Sequence, residues 1–268
     1  MKTRREIMNN LETGKIKKLA TVTVILGLLF ISNQNLSAQD RTVLDPETTD
    51  AFVLDPAVFD PDDRDARILR HEPFGRKTEA VYERGEREDG TPIIIASSNN
   101  SISSVTTPLT ADPSVFQYLE WEWKIESVIE SGDMTRKDGD DFAARVYVTF
   151  DYDKSNLGFG DRIKYVAYRA FTSFDIPLRS LNYIWANKAE IGATGENPFS
   201  SWVQYVVVQS GNELAGEWKV EKRNILEDYR MVYGEEPPPI SGITIMTDSD
   251  NTGESTRAYF GKITLSKE

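Results

Sequence analysis

Residues 142–151 (FAARVYVTFD) alternate along their whole length. Phe142, Ala144, Val146, Val148 and Phe150 fall on one side; Ala143, Arg145, Tyr147, Thr149 and Asp151 fall on the other. Period two with one apolar side marks an antiparallel strand that rests one face on a core. The stretch LEWEWKIE repeats the pattern, with Leu119, Trp121, Trp123 and Ile125 inward and Glu120, Glu122, Lys124 and Glu126 outward. Further strands are expected at Lys77–Arg84, Pro92–Ser97, Ser180–Ala186, Trp202–Gln209, Glu217–Glu221, Ser241–Thr247 and Thr256–Leu265, separated by clusters of Gly, Asn, Asp and Pro.

Two segments change to a helical period. In Asp161–Phe174, the residues Ile163, Val166, Ala167, Ala170, Phe171 and Phe174 form one stripe, with Asp161 as N-cap. Asn224–Tyr233 is shorter, capped by Asn224 and stopped by Gly234 and three prolines at 237–239. Many short strands with one or two inserted helices predict a mainly β fold, an antiparallel jelly-roll-like β-sandwich.

The first 66 residues do not join this pattern. Residues 1–18 carry six basic side chains against two acidic ones, and an uncharged run follows at Leu19–Ile31. That run holds 13 residues, short of the roughly 20 that a membrane-spanning helix needs. With small residues at Ser37 and Ala38, it predicts a secretory signal peptide over 1–38, cut after Ala38, and a periplasmic or secreted protein. Residues 39–66 form an Asp/Pro-rich arm with three Asp-Pro steps and a short strand near Phe52–Leu54, and 67–268 form the sandwich domain.

Composition narrows the chemistry. There is no cysteine, so neither disulfides nor thiolate metal sites are available, and the only histidine is His71, expected to be a surface or packing residue. Loss of residues 1–38 would leave 25 basic against 41 acidic residues, a charge of −16. Such a chain repels nucleic acid and anionic lipid, and no membrane span is expected after cleavage.

Three patterns could carry function. Lys137–Arg145 (KDGDDFAAR) puts Asp140 and Asp141 in an acidic turn before the best strand, with Arg145 and Tyr147 on its polar side. These four make a polar floor suited to sugar hydroxyls; the plainer reading is an ion pair from Arg145 to Glu120 or Glu122 on a solvent face. Thr247–Ser255 (TDSDNTGES) matches the first half of a calcium loop at Asp248, Asp250 and Thr252, with Gly253 for the turn; Tyr259 stands where a bidentate Glu belongs, leaving Glu254 as substitute. An Asx-rich loop that caps its own backbone is the alternative. Of the five tryptophans, Trp121 and Trp123 read as core, whereas Trp185 and Trp218 at strand ends are the candidates for an exposed sugar platform.

Four segments, KDGDDFAARVYVTFD (137–151), LNYIWAN (181–187), GEEPP (234–238) and IMTDSDNTGES (245–255), occur in that order. Together they resemble the bacterial domain of unknown function 3047 over about Arg67–Lys267. The resemblance implies an exported bacterial domain with no established activity. Family members close on an aromatic–Gly-Asp-Ile strand; here Lys262 replaces that Asp in Tyr259–Ile263 (YFGKI).

The expected function is a non-catalytic carbohydrate-binding module with Asp140, Asp141, Arg145, Tyr147 and Trp185 on the ligand face and a calcium ion at Asp248, Asp250, Thr252 and Glu254. Two alternatives stand beside it: a polysaccharide-cleaving enzyme built on Asp140, Asp141 and Glu254, and an envelope domain that binds another protein.

Overall fold

The computed structural model describes residues 41–75, 77–171 and 177–268. The expected signal peptide, and the end of the helix expected to reach Phe174, lie outside the described residues. Two sheets pack face to face. The larger runs β1 (Thr42–Val43), β6 (Ile102–Ala111), β13 (Ile240–Asp248), β8 (Arg145–Phe150), β9 (Ser180–Ala186), β11 (Ser200–Ser210) and β10 (Thr194–Asn197), with β3 (Arg70–Pro73) also on β6. The smaller runs β12 (Lys219–Asn224), β7 (Tyr118–Ile125), β14 (Ser255–Ser266), β5 (Pro92–Asn99) and β4 (Val81–Glu86), with β2 (Ala51–Leu54) on β14. Most pairs are antiparallel as expected; β1 with β6 and β9 with β11 run parallel.

The alternation read from the sequence sets the core. Val146, Val148 and Phe150 of β8 and Leu181, Tyr183 and Trp185 of β9 meet Leu119, Trp121, Trp123 and Ile125 of β7 between the sheets. Aromatic rings bridge the two layers, Trp121 to Tyr183 at 5.1 Å between centroids and Trp123 to Trp185 at 5.8 Å. Trp185 is therefore core, 1 % exposed, and donates its Nε1–H to the Gly211 carbonyl. The expectation of an exposed sugar platform there is corrected: period two puts Trp185 in phase with Leu181 and Tyr183, and that phase faces the other sheet. Trp218 is half-buried under the Arg87 guanidinium, 3.6 Å from the ring centroid.

The arm expected to precede the domain is woven into it. Its β1 extends the larger sheet and its β2 completes the smaller one beside the second half of β14. Helix α1 (Phe159–Phe171) forms where the apolar period predicted it but begins two residues before Asp161, the expected N-cap, which lies in its first turn; Ile163 and Val166 are exposed. Helix α2 (Ile225–Tyr233) has the expected ends: Asn224 accepts from the Glu227 N–H, and Gly234 closes the helix at φ +68°. Its Tyr229 packs on Phe150.

The largest difference from the sequence reading is β6, a ten-residue strand inside the larger sheet. Its composition, ISSVTTPLTA, is rich in Ser and Thr and contains Pro108, which are loop signals. It is a strand because Val105 and Leu109 join the core while the opposite phase carries Ser104 and Thr106 on the outer face.

Candidate functional site

The outer face of the larger sheet carries the polar residues that the sequence singled out. Arg145 and Tyr147 alternate out of phase with Val146 and Val148, so they leave the core on the far side of β8. Strand pairing extends that phase across six strands. In register lie Arg70 (β3), Thr106 (β6), Thr244 (β13), Tyr147 (β8), Asn182 (β9) and Tyr205 (β11). At about 4.8 Å per strand the row is about 24 Å long. Thr106 and Thr244 share a hydrogen bond at 3.0 Å. The row is covered: Phe74 clusters with Tyr147 and Met246, and Met134 and Phe142 cluster with Tyr205 and Ile184.

Beside the row, off β8 and β13, lies a buried ionic network. Arg145 donates Nε–H to Asp248 Oδ1 at 2.8 Å and Nη2–H to Asp248 Oδ2, and gives a second Nη2 bond to the Asp140 carbonyl at 2.7 Å. Its Nη1 reaches Asp140 Oδ1 at 3.2 Å and the Tyr147 and Tyr205 hydroxyls at 3.4 Å each. Asp140 also accepts from the Tyr205 hydroxyl and from Asn197 Nδ2, the latter at 2.9 Å. Asp141 ties the acidic turn to the loop after β13, accepting from the Asn251 and Thr252 backbone N–H groups at 3.0 and 2.6 Å. The expected pairing of Arg145 with Glu120 or Glu122 does not form, because β7 belongs to the other sheet.

The electrostatics follow from burial. Removal from water opposes the charge on Arg145, but Asp248 and Asp140 outweigh it and hold its pKa well above the usual arginine value. Burial pushes the Asp140 and Asp248 carboxyls up while Arg145 pulls them back. Burial also raises the Tyr147 and Tyr205 hydroxyls, which stay protonated and neutral.

The expected calcium ligands are divided by the structure. Asp248 and Asp250 come together with Asp141, each offering an oxygen within 4.8 Å of the others. Glu254 points away and accepts from the Glu130 and Ser131 N–H groups at 2.9 Å each, and Thr252 contributes its backbone N–H to Asp141. The reason is chain direction: after Gly253 at φ +74° the chain turns into β14 and carries Glu254 to another loop. The trio's charge is already met in part, Asp248 by Arg145 and Asp250 by Lys77.

Asn182 was not among the residues expected here. It is 0 % exposed, and neither its Oδ1 nor its Nδ2 has a hydrogen-bond partner. On the same face Ser104 and Ser180 have buried, unpartnered hydroxyls. The signal was present in LNYIWAN, where an amide stands at an inward-looking apolar strand but on its opposite phase. A cavity of about 410 Å³ lies beside this end of the face, lined by Lys164, Glu196, Asn197, Phe199, Ser201 and Trp202, so that Asn197 links it to Asp140. His71 sits on the other phase of β3, buried, with Nε2 2.9 Å from the Ser103 hydroxyl and its ring against Tyr82; it is a packing residue.

Comparison with known proteins gives one family and several distant folds. A family model described as protein of unknown function (DUF3047) matches residues 69–264. No curated protein matches the chain. Among solved structures, the glycoside hydrolase domain of Endo-D from Streptococcus pneumoniae is 10 % identical with TM-score 0.32, covering 74 % of this chain but only 22 % of that one. A family 30 carbohydrate-binding module of a cellulosomal cellulase of Clostridium thermocellum is 12 % identical with TM-score 0.37, covering 76 % and 94 %. An adhesin domain of Lys-gingipain from Porphyromonas gingivalis is 7 % identical with TM-score 0.34, covering 81 % and 98 %. At these TM-scores the likenesses carry no argument about ligand or reaction.

Proposed function

The chain belongs to the DUF3047 family of proteins of unknown function, and on that premise we propose that its sandwich is a glycan-binding module, acting in the periplasm or outside the cell, with the outer face of the larger sheet as its ligand face. One observation carries the reading: Asn182, between Tyr147 and Tyr205 in a six-strand polar row, is buried with both amide atoms unpartnered. A buried polar group without a partner costs about 1–3 kcal/mol. A ligand hydroxyl donates to the amide oxygen and accepts from its nitrogen, recovering that cost on binding. Tyr147 and Tyr205 flank Asn182 in the row, and the Arg145–Asp140–Asp248 network holds both hydroxyls in place. Access needs Phe74, which packs with Tyr147, to move aside.

The reading favours binding over cleavage. Asp140, Asp141 and Glu254, the acids first suspected of catalysis, are each committed to Arg145 or to backbone N–H groups. The test is affinity electrophoresis of the purified protein in gels containing a panel of polysaccharides. Retardation by at least one polymer is expected, with Asn182→Ala weakening it about tenfold, the equivalent of roughly 1.4 kcal/mol. Retardation that Asn182→Ala leaves untouched sinks the placement of the ligand face.

A further inference from the structure

We infer that this face takes a neutral, hydroxyl-rich sugar and discriminates against uronic acids and sulfated sugars, a step that rests on the glycan-binding reading above. Binding an acidic sugar in a buried setting needs a cation to meet its charge. Among the described residues, the cations on or beside the face are already engaged: Arg70 by Glu72, Arg145 by Asp140 and Asp248, and Lys77 by Asp250. At the mouth of the neighbouring cavity Lys164 is paired with Asp161 at 2.9 Å and shares the cavity wall with Glu196.

Among the described residues, the uncharged groups left unpartnered on the face are Ser104 Oγ, Ser180 Oγ, and Asn182 Oδ1 and Nδ2; Arg70 Nη2, also without a hydrogen bond, lies against the Glu72 carboxylate, and Asp250 Oδ1 adds an acceptor rather than a donor. An amide and two hydroxyls both donate and accept, as sugar hydroxyls do, whereas a carboxylate or sulfate only accepts. The surrounding charge adds to this selection. Glu72, Asp140, Asp141, Asp248 and Asp250 stand against Arg70, Arg145 and Lys77, an excess of two negative charges near the site. Among the described residues, an anionic sugar would meet that excess with every nearby cation already paired.

The purified protein is run in affinity gels containing neutral polymers (glucan, mannan, galactan, xylan) and anionic ones (alginate, polygalacturonate, chondroitin sulfate). The expected result is retardation by a neutral polymer at least tenfold stronger than by any anionic one, unchanged by added salt and reduced in Asn182→Ala. Thermal melting of that variant, together with Val220→Ala on the outer side of the smaller sheet as a control that keeps full binding, separates lost contact from lost fold. Equal or stronger retardation by the anionic polymers, abolished by salt, overturns the inference while leaving glycan binding intact. No retardation by any polymer overturns glycan binding itself and the inference with it.

Discussion

Asn182 has two donors, an acceptor oxygen and no partner, in the middle of a sheet. Leucine has nearly the same shape and nothing to satisfy. Asn182→Leu is therefore expected to stabilise the free protein by about 1–3 kcal/mol, seen as a higher Tm, while abolishing glycan retardation. A lower Tm would mean that the amide serves the fold. At this scale the sequence was readable wherever alternation decided direction. Arg145 and Tyr147 were assigned to the polar side of β8 for that reason, and Asp140 and Asp141 followed from the acidic turn before it. The same rule, carried through LNYIWAN, would have moved Trp185 to the core and brought Asn182 out opposite it. Strand ends beside polar residues misled there, because the turn after β11 brings the Gly211 carbonyl to Trp185 and the strand phase turns its ring to the core.

Among elements, the acidic turn at 138–141 and the loop at 248–252 depend on one arginine. Removing one partner of a buried pair leaves the other charge uncompensated, at about 3–5 kcal/mol. Asp248→Asn should thus lower stability by about that amount in denaturant titration, and a loss below about 1 kcal/mol would show that the network bears little of the fold. Because Arg145 and Lys77 already face these carboxylates, Tm should be the same with calcium or with chelator; a rise of several degrees in calcium would make Asp141, Asp248 and Asp250 a cation site. The strand that reading by element missed is β6. Half of its residues face outward, so its Ser and Thr content reflects the outer face and gave no apolar alternation by which to expect a strand. Helix α1 shows the converse: periodicity alone specified a helix and could not specify what covers it.

For the whole molecule, the joint between the sheets has a titratable group in it. His71 stands on the larger sheet and its ring lies 5.2 Å from that of Tyr82 on the smaller one. Burial, assisted by Arg64 and opposed by Glu79, lowers its pKa from 6.5 to about 4. Between those values the unfolded chain takes up a proton that the folded one refuses, so His71 costs stability as pH falls through the window. The loss is about 2 kcal/mol by pH 5. Asp140 and Asp248, pushed upward, act with the opposite sign, so the check compares wild type and His71→Gln at each pH. The stability of wild type relative to His71→Gln should fall by about 2 kcal/mol from pH 7 to pH 5, and parallel curves would refute the assignment.

The placing of β14 reaches into how such a chain is made. It follows every other described strand in the sequence, yet it is the central strand of the smaller sheet, bonded to β7 on one side and to β5 and then β2 on the other. A growing chain that has exposed everything up to residue 254 holds β2, β5 and β7 without the strand that unites them. Neither the seat of Trp121 and Trp123 nor the strap of the N-terminal arm can close before that moment. Pairings this distant in sequence are slow to form and leave strand edges open meanwhile. Until β14 arrives, the smaller sheet therefore stays in separate pieces with open edges, and its closure waits on that one strand.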